Sequence, residues 1–164
     1  MNLQAALSTQ YKAALLMLRQ AVERCPDEIW TGREHPRNPW RIAYHAVFFV
    51  HLYLMPNLDA FVPWEKHREN ADTLWATPPK IEPYTQAELI AYIDEVYGKV
   101  DEFLAALDFD AQDSGFDWYP NFPKLDHVIL GVRHIQGHVG QLSEILFEQG
   151  IDTDWIACPK APAA

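Results

Sequence analysis

The sequence predicts an all-α fold, a four-helix bundle with one long crossover between its second and third helices, and three observations carry that prediction. Apolar residues recur at helical spacing in four separate stretches of the 164-residue chain. Alternating strand patterns and Asn-Gly hairpin signals are absent. The connections are uneven, and the one between the second and third stretches is long. Four amphipathic helices with no sheet to pack on must bury their apolar stripes against one another. At this length a single domain over residues 1–164 is the expectation, large enough to bury a full core.

The first helix is read from Leu3, Leu7, Tyr11, Ala14, Leu15, Leu18 and Val22, and Pro26 ends it. The second runs from about Pro39 to Leu58, its proline tolerated in the first turn, where the missing N–H has no intrahelical partner to lose. The third has the clearest start. Thr85-Gln86-Ala87-Glu88 reads as a capping box flanked by a Tyr84/Leu89 hydrophobic staple. Its stripe is Leu89, Ile93, Val96, Val100, Phe103 and Leu107. The fourth spans about Pro123 to Gln149, with Gly150 as a left-handed cap and Ile151 as its apolar contact.

The Asp59–Pro83 connection is long enough to carry the chain back along the bundle, so that helices two and three run parallel. Trp64 and Trp75 are expected to pack it down, since structureless loops of this length are uncommon. A second aromatic-rich connection, Asp108 to Asn121, carries Trp118 and Tyr119. Either connection would wall a pocket at one end of the bundle, with ordinary loop packing as the plainer reading. The second helix is apolar almost all round, so it needs cover, either from the Trp64–Trp75 connection or from a second copy in a homodimer.

Charge narrows the functional classes. Thirteen Lys+Arg face twenty-three Asp+Glu, for a net charge of −10, with no basic cluster. That balance argues against nucleic acid as a partner. The longest apolar stretch, Ala43 to Met55, is interrupted by His45 and His51 and is shorter than the roughly 20 residues of a membrane span. The N-terminus lacks the pattern of a secretion signal. Cys25 and Cys158 are too few for a disulfide framework, and both read as bystanders in a reduced cytoplasmic setting.

Seven histidines are the informative residues. His134 and His138 are one turn apart, along the inner edge of the apolar arc formed by Val128, Ile135, Leu142 and Leu146. Two such imidazoles can chelate one divalent ion, although a satisfied core histidine is the plainer reading of either. On the second helix His45 shares its face with Ile42, Phe49 and Leu52. His51 lies about 120° away, so both cannot aim at one point from a straight helix. His45 is the candidate third ligand. His127 lies nearly two turns before His134, too far to join, and His35 and His67 fall in polar, proline-flanked loops where solvation is expected. Three neutral imidazoles would leave a fourth position open, the arrangement of a catalytic rather than a structural zinc site.

Other metal signatures are missing. His134-Ile135-Gln136-Gly137-His138 lacks the glutamate of a zincin, and no Glu-x-x-His pair or Cys-x-x-Cys-His occurs. Gly-rich phosphate loops and Gly-x-Ser-x-Gly elbows are likewise absent. Asp126 and Glu144 do not project with the histidines, so no general base is assigned.

Ile42-Ala43-Tyr44-His45 and His134-Ile135-Gln136-Gly137-His138-Val139-Gly140-Gln141-Leu142, with the long crossover between helices two and three, resemble the DinB/YfiT-like superfamily of small bacterial four-helix bundles. The resemblance covers residues 3 to 150. Its helix-four stretch is similar to the family's His-x-x-x-His-x-Gly-Gln pattern, while Gly137 and Val139 stand where many members carry a histidine or arginine. The resemblance implies His45, His134 and His138 as ligands of a divalent metal. It also implies a homodimer and, from characterised relatives, thiol S-transferase or thiol-dependent isomerase chemistry with a low-molecular-weight thiol. Zinc is the default ion, with nickel, manganese and iron as alternatives. Two readings follow: a metal-dependent enzyme that activates a thiol or water toward a small electrophilic substrate (a transferase or hydrolase), or a non-catalytic bundle that binds metal or ligand and acts through protein partners.

Overall fold

The computed structural model describes residues 2–32, 37–75, 77 and 79–159. Among them the chain is all-α: α1 (Leu3–Arg24), α2 (Asp27–Trp30), α3 (Pro39–Tyr53), α4 (Gln86–Ala105) and α5 (Lys124–Phe147), with a 3-10 turn at Leu58–Ala60 and no strand. α1 packs on α4 and α5, and α3 packs on α5 and α4, so each long helix has two main neighbours. Their buried apolar side chains merge into one cluster. None of the described helices is long and apolar enough to cross a membrane.

Local chemistry explains the boundaries. Asn2 caps α1 by accepting from Ala5 N–H at 3.0 Å. α2, a single turn after Pro26 that the apolar pattern is too short to reveal, buries Trp30 and lets its indole donate to the Tyr84 carbonyl at 2.8 Å. The capping box of α4 forms as expected, with Glu88 N–H donating to Thr85 Oγ1 and Thr85 N–H to the Glu88 carboxylate at 3.2 and 2.9 Å. At the end of α5, Gly150 adopts φ +72° while Gly150 N–H reaches the Phe147 carbonyl and Ile151 N–H the Leu146 carbonyl. These are the two bonds of a Schellman cap. Within α5, Gly131 admits Tyr11 from α1, whose hydroxyl donates to the Val128 carbonyl at 2.6 Å. A Cβ at position 131 would lie 2.2 Å from that hydroxyl oxygen.

Two expectations need correction. The second predicted helix was to reach Leu58, but α3 stops at Tyr53. Pro56 supplies no N–H and disfavours helical geometry at Met55, so the helix ends ahead of it and a separate Asn57-capped 3-10 turn follows. Trp75 does not pack the connection down, being 68% exposed. Trp64 does, stacking on Tyr92 with ring centroids 4.6 Å apart.

Twelve of the fifteen residues of α3 are buried, all except His45, Phe49 and His51. The chain itself supplies the cover. Tyr44 stacks on Tyr84 at 4.6 Å, and Phe48 meets Phe61 at 5.2 Å and His67 at 5.4 Å. Of the two covers considered for this helix, the connection is the one in place, so its apolar circumference gives no argument for a second copy.

Candidate metal centre

His45 occupies the second turn of α3, and His134 and His138 occupy successive turns in the middle of α5. Because α3 and α5 pack side by side, the three rings meet. His45 Nε2 lies 3.1 Å from His134 Nε2, and His138 Nε2 lies 3.2 Å from the same atom. The three residues form a group able to hold a metal ion. Nitrogens bound at 2.0–2.1 Å to a tetrahedral ion stand ~3.3 Å apart, so the spacing fits such an ion with little movement.

The far sides of two rings are fixed. His45 Nδ1 is 2.5 Å from the Asp72 carbonyl, and His138 Nδ1 is 2.9 Å from Gln141 Oε1. A carbonyl oxygen only accepts, so His45 Nδ1 carries the proton and Nε2 presents a lone pair inward. With the Gln141 amide oxygen as acceptor, His138 adopts the same tautomer. This is the outer support that ligating histidines usually have. His134 Nδ1 is buried with no partner among the described residues.

Burial also keeps the rings neutral. It pushes the His45 imidazole down to about 3, opposed by its bond to the Asp72 carbonyl and reinforced by the neighbouring histidines and Arg37. His134 is pushed down to about 4 by burial and by His138. His138 is lowered too, chiefly by burial. A cation at their centre would take the Nε2 lone pairs that His45 and His138 present, with His134 joining them through an unprotonated Nε2. Phe49 closes one side, with its ring 4.5 Å from His45 and 5.3 Å from His134.

The remaining histidines have other roles. His51 turns away, its Nδ1 3.0 Å from the Tyr92 hydroxyl and its ring between Phe61 and Phe103. His67, expected to be solvated, is half-buried instead, with Nδ1 2.6 Å from the Tyr44 hydroxyl. The aromatic face of α3 captures it. His127 is fully buried among Tyr53, Phe116, Tyr119 and Phe122, its ring nitrogens unpartnered among the described residues. The second connection thus packs around His127 rather than around the cluster. His35 lies outside the described residues.

Asp126 and Glu144 are exposed, and neither belongs to the cluster. Cys25 is buried and its thiol is pushed up to about 11 by burial, while Cys158 is exposed. Sequence reasoning missed the outer support. Gln141 was open to detection, because it follows His138 at i+3 on the same face. The Asp72 contribution is a main-chain carbonyl and has no side-chain signature. Compared with known proteins, the chain matches no family model, no curated protein and no solved structure.

Proposed function

We propose that the chain is a divalent-metal-dependent enzyme of the DinB/YfiT-like type, a four-helix bundle whose long connection is the crossover between α3 and α4. The observation that carries the reading is the convergence of three imidazoles from two helices, with His45 and His138 Nε2 3.1 and 3.2 Å from His134 Nε2. Three imidazoles leave a coordination position for a reactant, the mark of a catalytic site. Zinc suits this donor set and is the default, with nickel, manganese or iron as alternatives.

When bound, the ion supplies Lewis acidity, lowering the pKa of a thiol or water. The chain's own residues prepare that position. The Asp72 carbonyl and Gln141 hold the His45 and His138 rings in the ligating tautomer, burial keeps the ligands unprotonated, and Phe49 shields one flank. The substrate class is a small electrophile. The resemblance adds a low-molecular-weight thiol as co-substrate and a homodimer, and the two-cysteine sequence adds a reduced cytoplasmic setting.

The test is metal content together with turnover of the purified protein and of His45→Ala. One metal per chain, and conjugation of a thiol to an activated aryl halide that His45→Ala loses, are expected. Bound metal with neither conjugation nor ester hydrolysis would move the assignment to a non-catalytic bundle acting through partners. Absence of metal after incubation with zinc, nickel, manganese and iron would remove the metal reading altogether.

A further inference from the structure

The turn that receives His45 is itself held from α3. Arg41 lies four residues before His45, on the same helical face. The residue is 3% exposed, and its guanidinium rests on the Trp40 ring at 4.7 Å. Its donors reach the carbonyls of Asn70 at 3.1 Å, Thr73 at 3.5 Å and Pro79 at 2.9 Å. Asp72, whose carbonyl accepts from His45 Nδ1–H, sits between the first two. One face of α3 therefore grips a single turn of the connection twice, once through a charged fork and once through the candidate ligand.

The turn also carries local bonds, among them Ala71 N–H to the Arg68 carbonyl. Asn70 adopts φ +64°, and Thr73 folds back on the Asn70 carbonyl through both its N–H and its hydroxyl. Ala71 is fully buried beneath it. The Asn70 carbonyl keeps its Thr73 donors without Arg41, whereas the Thr73 and Pro79 carbonyls would lose the charged donor that ties them to α3.

We infer that Arg41 is a positioning residue of the metal centre: by holding the carbonyls of Asn70, Thr73 and Pro79 it fixes the Asp72 carbonyl that selects the His45 tautomer and aims His45 Nε2. The inference rests on the metal-binding reading above and adds the residue that tunes it. Arg41 itself touches neither metal nor substrate.

The test titrates the metal-free full-length protein with Co(II), reading affinity by competition with a chelator and geometry by the visible d–d absorption. The variants are Arg41→Met, Arg41→Lys and Tyr44→Phe. The last removes another tie between α3 and the connection, the hydroxyl on His67, without touching the Asn70, Thr73 and Pro79 carbonyls. Loss of outer-shell support typically weakens metal binding about 10–100-fold, which is the drop expected for Arg41→Met, with an altered d–d band. Arg41→Lys keeps the charge but not the fork, and falls between Arg41→Met and the wild type. Tyr44→Phe keeps wild-type affinity and spectrum.

Equal weakening by Tyr44→Phe and Arg41→Met would overturn the inference, because any tie to the connection would then serve. Wild-type affinity in Arg41→Met would overturn it as well. If Arg41→Met does not fold, Arg41→Lys decides: binding weaker than wild type supports the role, and unchanged binding overturns it. Failure of the wild-type protein to bind Co(II) would instead overturn the metal reading on which the inference rests.

Discussion

His45 and His51 stand six residues apart on α3, and one ring reaches α5 while the other settles on Tyr92. Helical projection separated them correctly, because a ring's direction on a straight helix follows from its position alone. The same projection failed to notice Gln141, although it lies on the His134/His138 face. Gln141→Ala removes the acceptor for His138 Nδ1, and roughly tenfold weaker metal binding is expected, measured by chelator competition. Unchanged affinity would show that His138 needs no such support. Loop composition misled at His67, whose polar, proline-flanked surroundings suggested solvent. Its environment is set by Tyr44 and Phe48, side chains distant in sequence, so no local pattern reports it.

At the scale of elements, caps and stripes were legible and helix ends were less so. Thr85–Glu88 and Gly150 announce themselves because capping chemistry is local. The end of α3 is overrun by apolar residues through Met55 and Leu58, which continue to read as helix although Pro56 breaks it. Glycines show what sequence leaves unsaid about packing. Gly131 leaves space for Tyr11, whereas a Cβ at Gly98 on α4 would meet nothing within 4 Å. Gly98→Ala should therefore raise stability by up to ~1 kcal/mol through helix propensity. Gly131→Ala should lower it by about 1–3 kcal/mol through overpacking, despite the same propensity gain. Urea denaturation of both variants checks the pair. A stabilised Gly131→Ala would contradict the close α1–α5 approach.

For the whole molecule, the all-α class followed from four stripes and the absence of strand patterns, while the long connection stayed opaque. Its main contribution to the site, the Asp72 carbonyl, is backbone, and Arg41 bonds the neighbouring Asn70, Thr73 and Pro79 carbonyls through contacts that composition does not register. Burial of neutral histidines gives the fold a pH signature. His127 and His51 are both pushed down to about 4 by burial, below the ~6.5 of an unfolded histidine. As pH falls below that value the unfolded chain takes up protons that the native state refuses. The stability these residues contribute is complete above about pH 6.5 and is lost progressively down to about 4. The slope is up to ~1.4 kcal/mol per pH unit for each residue. Urea midpoints of metal-free protein between pH 7 and 4 should fall accordingly, with a shallower slope in His127→Phe.

The convergence of His45, His134 and His138 is tested most directly by anomalous diffraction from crystals grown with zinc, recorded on both sides of the zinc absorption edge. The predicted result is a single edge-dependent peak ~2 Å from the Nε2 atoms of all three residues. A peak held by other side chains, or none among three rings still in van der Waals contact, would contradict it.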